Sequence, residues 1–164
     1  MLMDSMIEAG LFRAAMSRFA AAVHIVTTDG AAGRRGVTAT SVASVSDAPA
    51  TLLVCLNTSN EANQRFEANG CFAVNLLADE SEGLARVFAG EGALSPEARF
   101  AEGEWGLRAT GAPILEDALA SFDCRLIDSR IVATHRVMIG EVRSIHLGAE
   151  RPCLVYHGRA YHRV

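Results

Sequence analysis

The chain contains no lysine; all fifteen of its basic residues are arginines. This absence removes a Schiff-base amine for pyridoxal phosphate, a lysine general base and the lysine of a Walker-type phosphate loop. An anionic ligand must then be held by arginine, hydroxyls, amides or a helix N-terminus. Charge is scarce too, at 21% of residues with a net of −4 and no basic run, which argues against nucleic acid as the main partner because duplex binding needs clustered cations. No apolar run reaches the roughly 18 residues of a membrane span, and Asp4 and Glu8 stand where a secretory leader would be basic, so a cytoplasmic protein is expected. The four cysteines, Cys55, Cys71, Cys124 and Cys153, are dispersed without a C-x-x-C pair and read as small core residues in a reducing compartment. G-x-S-x-G and H-E-x-x-H are missing, and Gly90-x-Gly92 lacks the preceding strand and third glycine of a dinucleotide fingerprint. His157 and His162, five apart in one terminal strand, would face opposite ways, so no metal site is expected.

What is present is half hydrophobic over 164 residues, enough for one domain spanning 1–164 with a sizeable core and apolar surface to spare for a subunit interface. Ser5-x-x-Glu8 is a capping-box pattern, and Ile7, Leu11, Phe12, Ala15, Met16 and Phe19 recur at helical spacing, giving a first amphipathic helix that closes the core or meets a second subunit. Strands are expected over 23–28, 37–45, 51–56, 71–78, 119–127 and 153–156, with one or two more over 132–147. Between them fall a loop with exposed Arg34 and Arg35, a helix capped by Ser59 and ending at Asn69-Gly70, a helix over 79–89 stopped by Gly90, and a loop-like excursion over 91–106. In 119–127, Ala120, Phe122, Cys124 and Leu126 alternate with Ser121, Asp123 and Arg125, the pattern of a half-buried strand. The sum is mainly β with α additions, a barrel of six or so strands in preference to a doubly wound sheet.

The segment GVTATSVASVSDAPATLLVCLNTS over 36–59 carries the most functional information. Val37, Thr38, Ala39, Thr40, Ser41, Val42, Ala43 and Ser44 combine small side chains with hydroxyls, an open surface that suits a flat polar ligand. The alternative is a threonine-rich strand with no ligand, since threonine favours β structure. Asn57, Thr58 and Ser59 stand at a strand-to-helix junction, where free N–H groups and the helix dipole favour a phosphate, or where Ser59 is only an N-cap. Asn63 and Gln64 follow one turn on, and Asn75 interrupts an apolar strand, to bond either a cofactor or a neighbouring backbone group.

With VHIVTTDG upstream, TLLVCLN within and FAVNLL downstream, the chain resembles the short-chain flavin reductase family over about 12–161, closest to the flavin reductase components of two-component monooxygenases of pyrimidine utilisation or 4-hydroxyphenylacetate hydroxylation. The resemblance implies an FMN-binding split barrel of six or so strands in Greek-key order, usually a homodimer with sites near the subunit interface. It implies hydride transfer from NADH or NADPH to FMN or FAD, with the reduced flavin feeding a partner monooxygenase. On that reading residues 37–44 run beside the isoalloxazine and 57–59 meet the flavin phosphate, although Asn57-Thr58-Ser59-Asn60-Glu61 is less hydroxyl-rich than many relatives and carries an acid. Ala133-Thr134-His135 falls where the family commonly has Gly-Asp-His, which makes His135 the candidate catalytic residue, orienting the dinucleotide or protonating reduced flavin. The alternative is a strand-edge histidine. Tyr156-His157-Gly158-Arg159-Ala160-Tyr161 matches the family's aromatic turn, bringing Arg159 toward flavin or dinucleotide while the tyrosines seal the core. Two rivals remain: a flavin-dependent reductase of corrin cobalt in cobalamin assembly, and a flavin carrier or sensor without turnover.

Overall fold

The computed structural model describes residues 6–164, so Ser5 of the expected capping box lies outside them. Glu8 caps the first helix, α1 (Ala9–Met16), itself: its carboxylate accepts hydrogen bonds from the N–H groups of Gly10 and Leu11 at 2.8 and 3.0 Å. The helix has no buried residue, and Leu11, Phe12 and Met16, with Ile7 and Phe19 beyond its ends, stay exposed. Its apolar stripe therefore does not close the core of this chain.

In chain order there follow β1 (Ala21–Ala22), β2 (His24–Thr28), β3 (Arg35–Ala39), β4 (Val42–Asp47), β5 (Ala50–Asn57), α2 (Gln64–Asn69), β6 (Cys71–Leu76), α3 (Glu82–Ala89), β7 (Trp105–Gly106), β8 (Ile114–Leu115), β9 (Ala120–Val132), β10 (His135–Leu147), β11 (Leu154–His157) and β12 (Ala160–Arg163). The mainly β reading with added helices holds, but the strand count does not. The principal sheet has seven antiparallel strands in the order β3-β2-β6-β9-β10-β5-β4, accompanied by β1-β11-β12 and by β7-β8. Two expected strands are each divided. The hydroxyl-rich run breaks at Thr40 and Ser41 into β3 and β4, and Gly158-Arg159 turns the terminal run into the β11–β12 hairpin.

The hydrogen-bonded order is that of an open sheet, yet it is rolled. β3 and β4 are its two edges, and only Thr40 and Ser41 separate them in the chain. Six inter-strand spacings in a flat sheet would hold those edges about 29 Å apart, whereas two linking residues reach only about 11 Å. All seven strands accordingly supply one core: Val37 of β3, Val26 of β2, Val74 of β6, Phe122 of β9, Met138 of β10, Val54 of β5 and Val42 of β4. A second core lies under α3, where Phe88 meets Phe100 at 5.1 Å and Trp105 at 5.4 Å between ring centroids. The excursion over 91–106 supplies these two aromatics. Gly36 is required here, because a Cβ at that position would come within 2.4 Å of the Phe88 ring.

Asn75 is fully buried in β6. Its Nδ2 donates to the Ile25 carbonyl at 3.0 Å and to Thr27 Oγ1 at 3.4 Å, while its Oδ1 accepts from Leu115 N–H at 2.9 Å and Ser121 Oγ at 2.8 Å. All four hydrogen-bonding positions of the amide are used within the chain, so of its two sequence readings the structure shows the neighbour-bonding one. The alternation expected in β9 also fails locally: Ser121 and Asp123 are each 1% exposed. The loop before β8 covers that face, and Thr110 donates to the Asp123 carboxylate from its hydroxyl and, at 2.9 Å, from its N–H.

Candidate functional site

Three sequence-predicted pieces converge on the C-terminal half of β5. Ser41 and β4 lie along one side of it: Cys55 N–H donates to the Ser41 carbonyl at 3.0 Å, and Val42, Ala43 and Ser44 pair with Val54, Leu53 and Leu52. β10 lies along the other, with His135 directly opposite Asn57, the last residue of β5. The Asn57–Ser59 junction is then joined to the β9–β10 turn, because Thr58 donates to the Thr134 carbonyl from both its N–H and its hydroxyl, each at 3.0 Å. Thr134 Oγ1 lies 2.9 Å from His135 Nδ1, which fixes the imidazole and leaves Nε2 as its free nitrogen. Ala133, at φ 52°, makes the turn that sets His135 at the start of β10.

The junction differs from expectation in one respect. Ser59 is not the helix cap: its N–H donates to Asn57 Oδ1 at 2.8 Å, and Asn60 caps the following 3₁₀ turn by accepting from Ala62 N–H at 3.0 Å. Asn57, Ser59, Asn60 and Gln64 are exposed there, whereas Asn63 is buried beneath them. Asn63 Nδ2 donates to the Asn57 carbonyl at 2.8 Å and Asn63 Oδ1 accepts from Arg35 Nε at 3.0 Å, so Asn63 braces the loop from below. Arg35 is the clearest correction of the arginine pair. The sequence reading had both exposed, but Arg35 is only 2% exposed, while Arg34 is half-buried and ion-paired with Asp29 at 2.9 Å. Burial first, then the nearby Arg99 and Arg65, push the Arg35 guanidinium down to about 10, with Glu97 opposing.

At the β3–β4 corner a cavity of about 560 Å³ opens beside Thr38, Ala39 and Thr40 and is faced by Tyr156, Arg159 and Tyr161. Its size falls within the roughly 300–1,000 Å³ of small-molecule sites. Thr38 Oγ1 donates to the Ala85 carbonyl at 2.6 Å, so its proton is committed to α3 and its lone pairs face outward. Arg159 sits in the left-handed region at φ 65° at the tip of the β11–β12 hairpin. Tyr156 and Tyr161 pack edge to face at 5.2 Å against the core under α3, consistent with sealing. The sequence reading missed Arg86, whose guanidinium lies 4.9 Å over the Tyr161 ring and ion-pairs with Glu82 and Glu91. Glu82, Arg86 and Ala89 repeat at helical spacing, a signal that was available in the sequence.

A larger cavity, about 690 Å³ between Asp29, Thr110, Arg125 and Arg143, contains none of the predicted site residues. It is a surface groove where the 107–115 loop crosses β9. His157 and His162 prove to be diagonal neighbours on one face of their hairpin, with ring centroids 5.9 Å apart, since the turn between them reverses the chain. Among the described residues no set of three or more His, Cys, Asp or Glu side chains is gathered as a metal site, and all four cysteines are free.

The "Flavin reductase like domain" family matches residues 16–164. An FMN reductase (NADH) RutF of Ancylobacter novellus is 50% identical over 153 residues, 93% of this chain and 83% of that protein. Among solved structures, the NADH:FAD oxidoreductase SgcE6 of Streptomyces globisporus superposes with a TM-score of 0.87 at 27% identity over 100% of this chain and 98% of its own. BorF, the flavin reductase component of a bacterial two-component tryptophan halogenase, gives a TM-score of 0.87 at 28% identity over 96% and 98%. By sequence over nearly its whole length and by fold, the chain belongs to the flavin reductase like domain family.

Proposed function

We propose that this protein is an NADH-dependent flavin reductase that takes FMN in preference to FAD and supplies the reduced flavin to a separate monooxygenase component. The observation that carries the reading is the convergence on β5: the hydroxyl-bearing β3–β4 corner, the Asn57–Ser59 loop and His135 all border one strand end. The relatives named for FMN and NADH support the choice of substrates, and BorF supports a separate acceptor enzyme. We further infer the split-barrel form of the sheet, a homodimer in which the exposed stripe of α1 is covered, and a cytoplasmic location. No helix among the described residues is long and apolar enough to cross a membrane.

The donor set fits a flavin without lysine. The loop over 57–60 would present the Ser59 hydroxyl and the side-chain amides of Asn57 and Asn60 to a phosphate, and the Thr38–Ser44 segment would present hydroxyls and edge-strand backbone groups to a ring. Flavin held there would supply the chemistry of accepting a hydride from a nicotinamide. Thr40, Ser41 and Ser44 would orient the ring edge and stabilise the charge that develops on it. His135 Nε2 would orient the hydride donor or deliver a proton, and Arg159 would attract the anionic dinucleotide at the cavity mouth.

The test is NADH and NADPH oxidation by the purified protein under anaerobic conditions, with FMN, FAD, riboflavin or no flavin added. Rapid NADH oxidation that depends on added FMN is expected. Failure with every pair in a folded protein would favour a flavin carrier or sensor, and turnover restored only by a corrinoid would favour the cobalt reductase. Ser59→Asp puts a carboxylate in the loop without disturbing the N–H bond to Asn57. It should weaken FMN binding about 10-fold and leave riboflavin binding alone; equal FMN affinity in the folded variant would remove the phosphate from this loop.

A further inference from the structure

Arg35 is a buried cation with no carboxylate of its own. Among the described residues its one hydrogen bond is from Nε to Asn63 Oδ1, and it takes part in no ion pair. The neighbouring arginines are provided for: Arg34 by Asp29, and Arg65 by Glu97 at 2.6 Å. Arg99 bonds the Leu94 and Phe88 carbonyls. Burying an unpaired guanidinium among other cations is costly, and replacing such a charge with an apolar side chain often stabilises a fold. The position therefore calls for a ligand that makes the charge useful. Arg35 Nε donates to Asn63 Oδ1, and Asn63 Nδ2 donates in turn to the carbonyl of Asn57, the first residue of the largely exposed 57–60 loop. The Arg35 bond also fixes Asn63 with Oδ1 toward Arg35 and Nδ2 toward the Asn57 carbonyl.

We propose that Arg35 is the positioning residue and buried countercharge for a phosphate monoester bound at the 57–60 loop, acting through Asn63 without touching the ligand. The inference rests on the reading of that loop as the flavin phosphate site. It explains how a lysine-free loop bearing Glu61 holds a dianion: the compensating cation comes from beneath, from a residue only 2% exposed. It also makes the phosphate, more than the ring, the part of the flavin that Arg35 senses.

The test compares FMN with riboflavin, which differ by the phosphate alone, through dissociation constants from equilibrium fluorescence titration of the wild type, Arg35→Met, Arg35→Lys and Asn63→Asp. Methionine keeps the apolar bulk and removes the charge. Aspartate at 63 is isosteric with asparagine, neutralises Arg35 in place and loses the bond to the Asn57 carbonyl. The wild type should prefer FMN. Arg35→Met and Asn63→Asp should each weaken FMN about 10- to 100-fold while moving riboflavin less than about 2-fold, and Arg35→Lys should recover part of the loss. Thermal unfolding of Arg35→Met at or above the wild-type midpoint is expected as well. If the wild type binds both flavins equally, the phosphate reading of the loop fails and this inference falls with it. If the wild type discriminates and both neutralised variants discriminate as well, or lose both flavins in parallel, Arg35 is a structural residue only and the proposal is overturned.

Discussion

His135→Gln is expected to slow FMN-dependent NADH oxidation about 100-fold, the lower end of what a positioned acid–base group supplies. The FMN dissociation constant should stay within about a factor of two, because the change leaves intact the loop proposed to meet the phosphate. The split follows from where the structure puts the ring. His135 opens β10, across from Asn57, and is held through Nδ1 by Thr134, whose carbonyl in turn takes both Thr58 bonds. These backbone bonds survive the substitution, so the loop keeps its shape and only the imidazole is lost. Glutamine preserves a polar group of similar reach but has no nitrogen that can both accept and return a proton. Stopped-flow reduction of bound FMN by NADH separates chemistry from binding. An unchanged reduction rate would make His135 a strand-end residue without a catalytic part, and a parallel loss of FMN affinity would make it part of the phosphate loop.

The largest effect on stability should come from Phe88→Ala, about 3–5 kcal/mol in urea unfolding, the usual range for emptying a fully buried aromatic position. Phe88 is 0% exposed and is the hub of its cluster: Phe100 and Trp105 reach it from the 91–106 excursion, and these two also contact each other at 5.0 Å. The same ring fills the space against Gly36, so its removal loosens β3 beside Arg35 and Thr38. FMN affinity should fall together with stability, unlike the His135 case. A loss below about 1 kcal/mol would mean that the cluster collapses to fill the void, and that the excursion is held elsewhere.

The parts of the fold that the sequence revealed are those whose signal is local. The helical spacing of Leu11, Phe12 and Met16, the stops at Gly70 and Gly90 and the strand runs around Val74 and Val54 each appear where expected, because a period or a turn residue suffices to define them. What stayed hidden depends on contacts distant in sequence. Arg35 reads as exposed from its neighbours Arg34 and Gly36, and it is buried by Asn63, twenty-eight residues away. Ser121 and Asp123 read as a solvent face, yet both are buried, Asp123 under the loop that carries Thr110 and Ser121 against Asn75. The division of the hydroxyl-rich run at Thr40-Ser41 has no marker, since the residues on both sides are equally good strand formers. The candidate site residues come largely from family resemblance, whereas their grouping around β5, with Asn63 set beneath the loop and Asn75 withdrawn into the core, required the structure.

The corner at Thr40 and Ser41 gives the sheet the mechanics of a clasp. The strands on either side of it are the outermost members of a seven-strand ladder, so a molecule lying across the corner rests on both margins at once. Its binding energy then bears on both margins and, through them, on the strands paired behind each. Occupation of the corner favours the rolled form over any opened one by mass action.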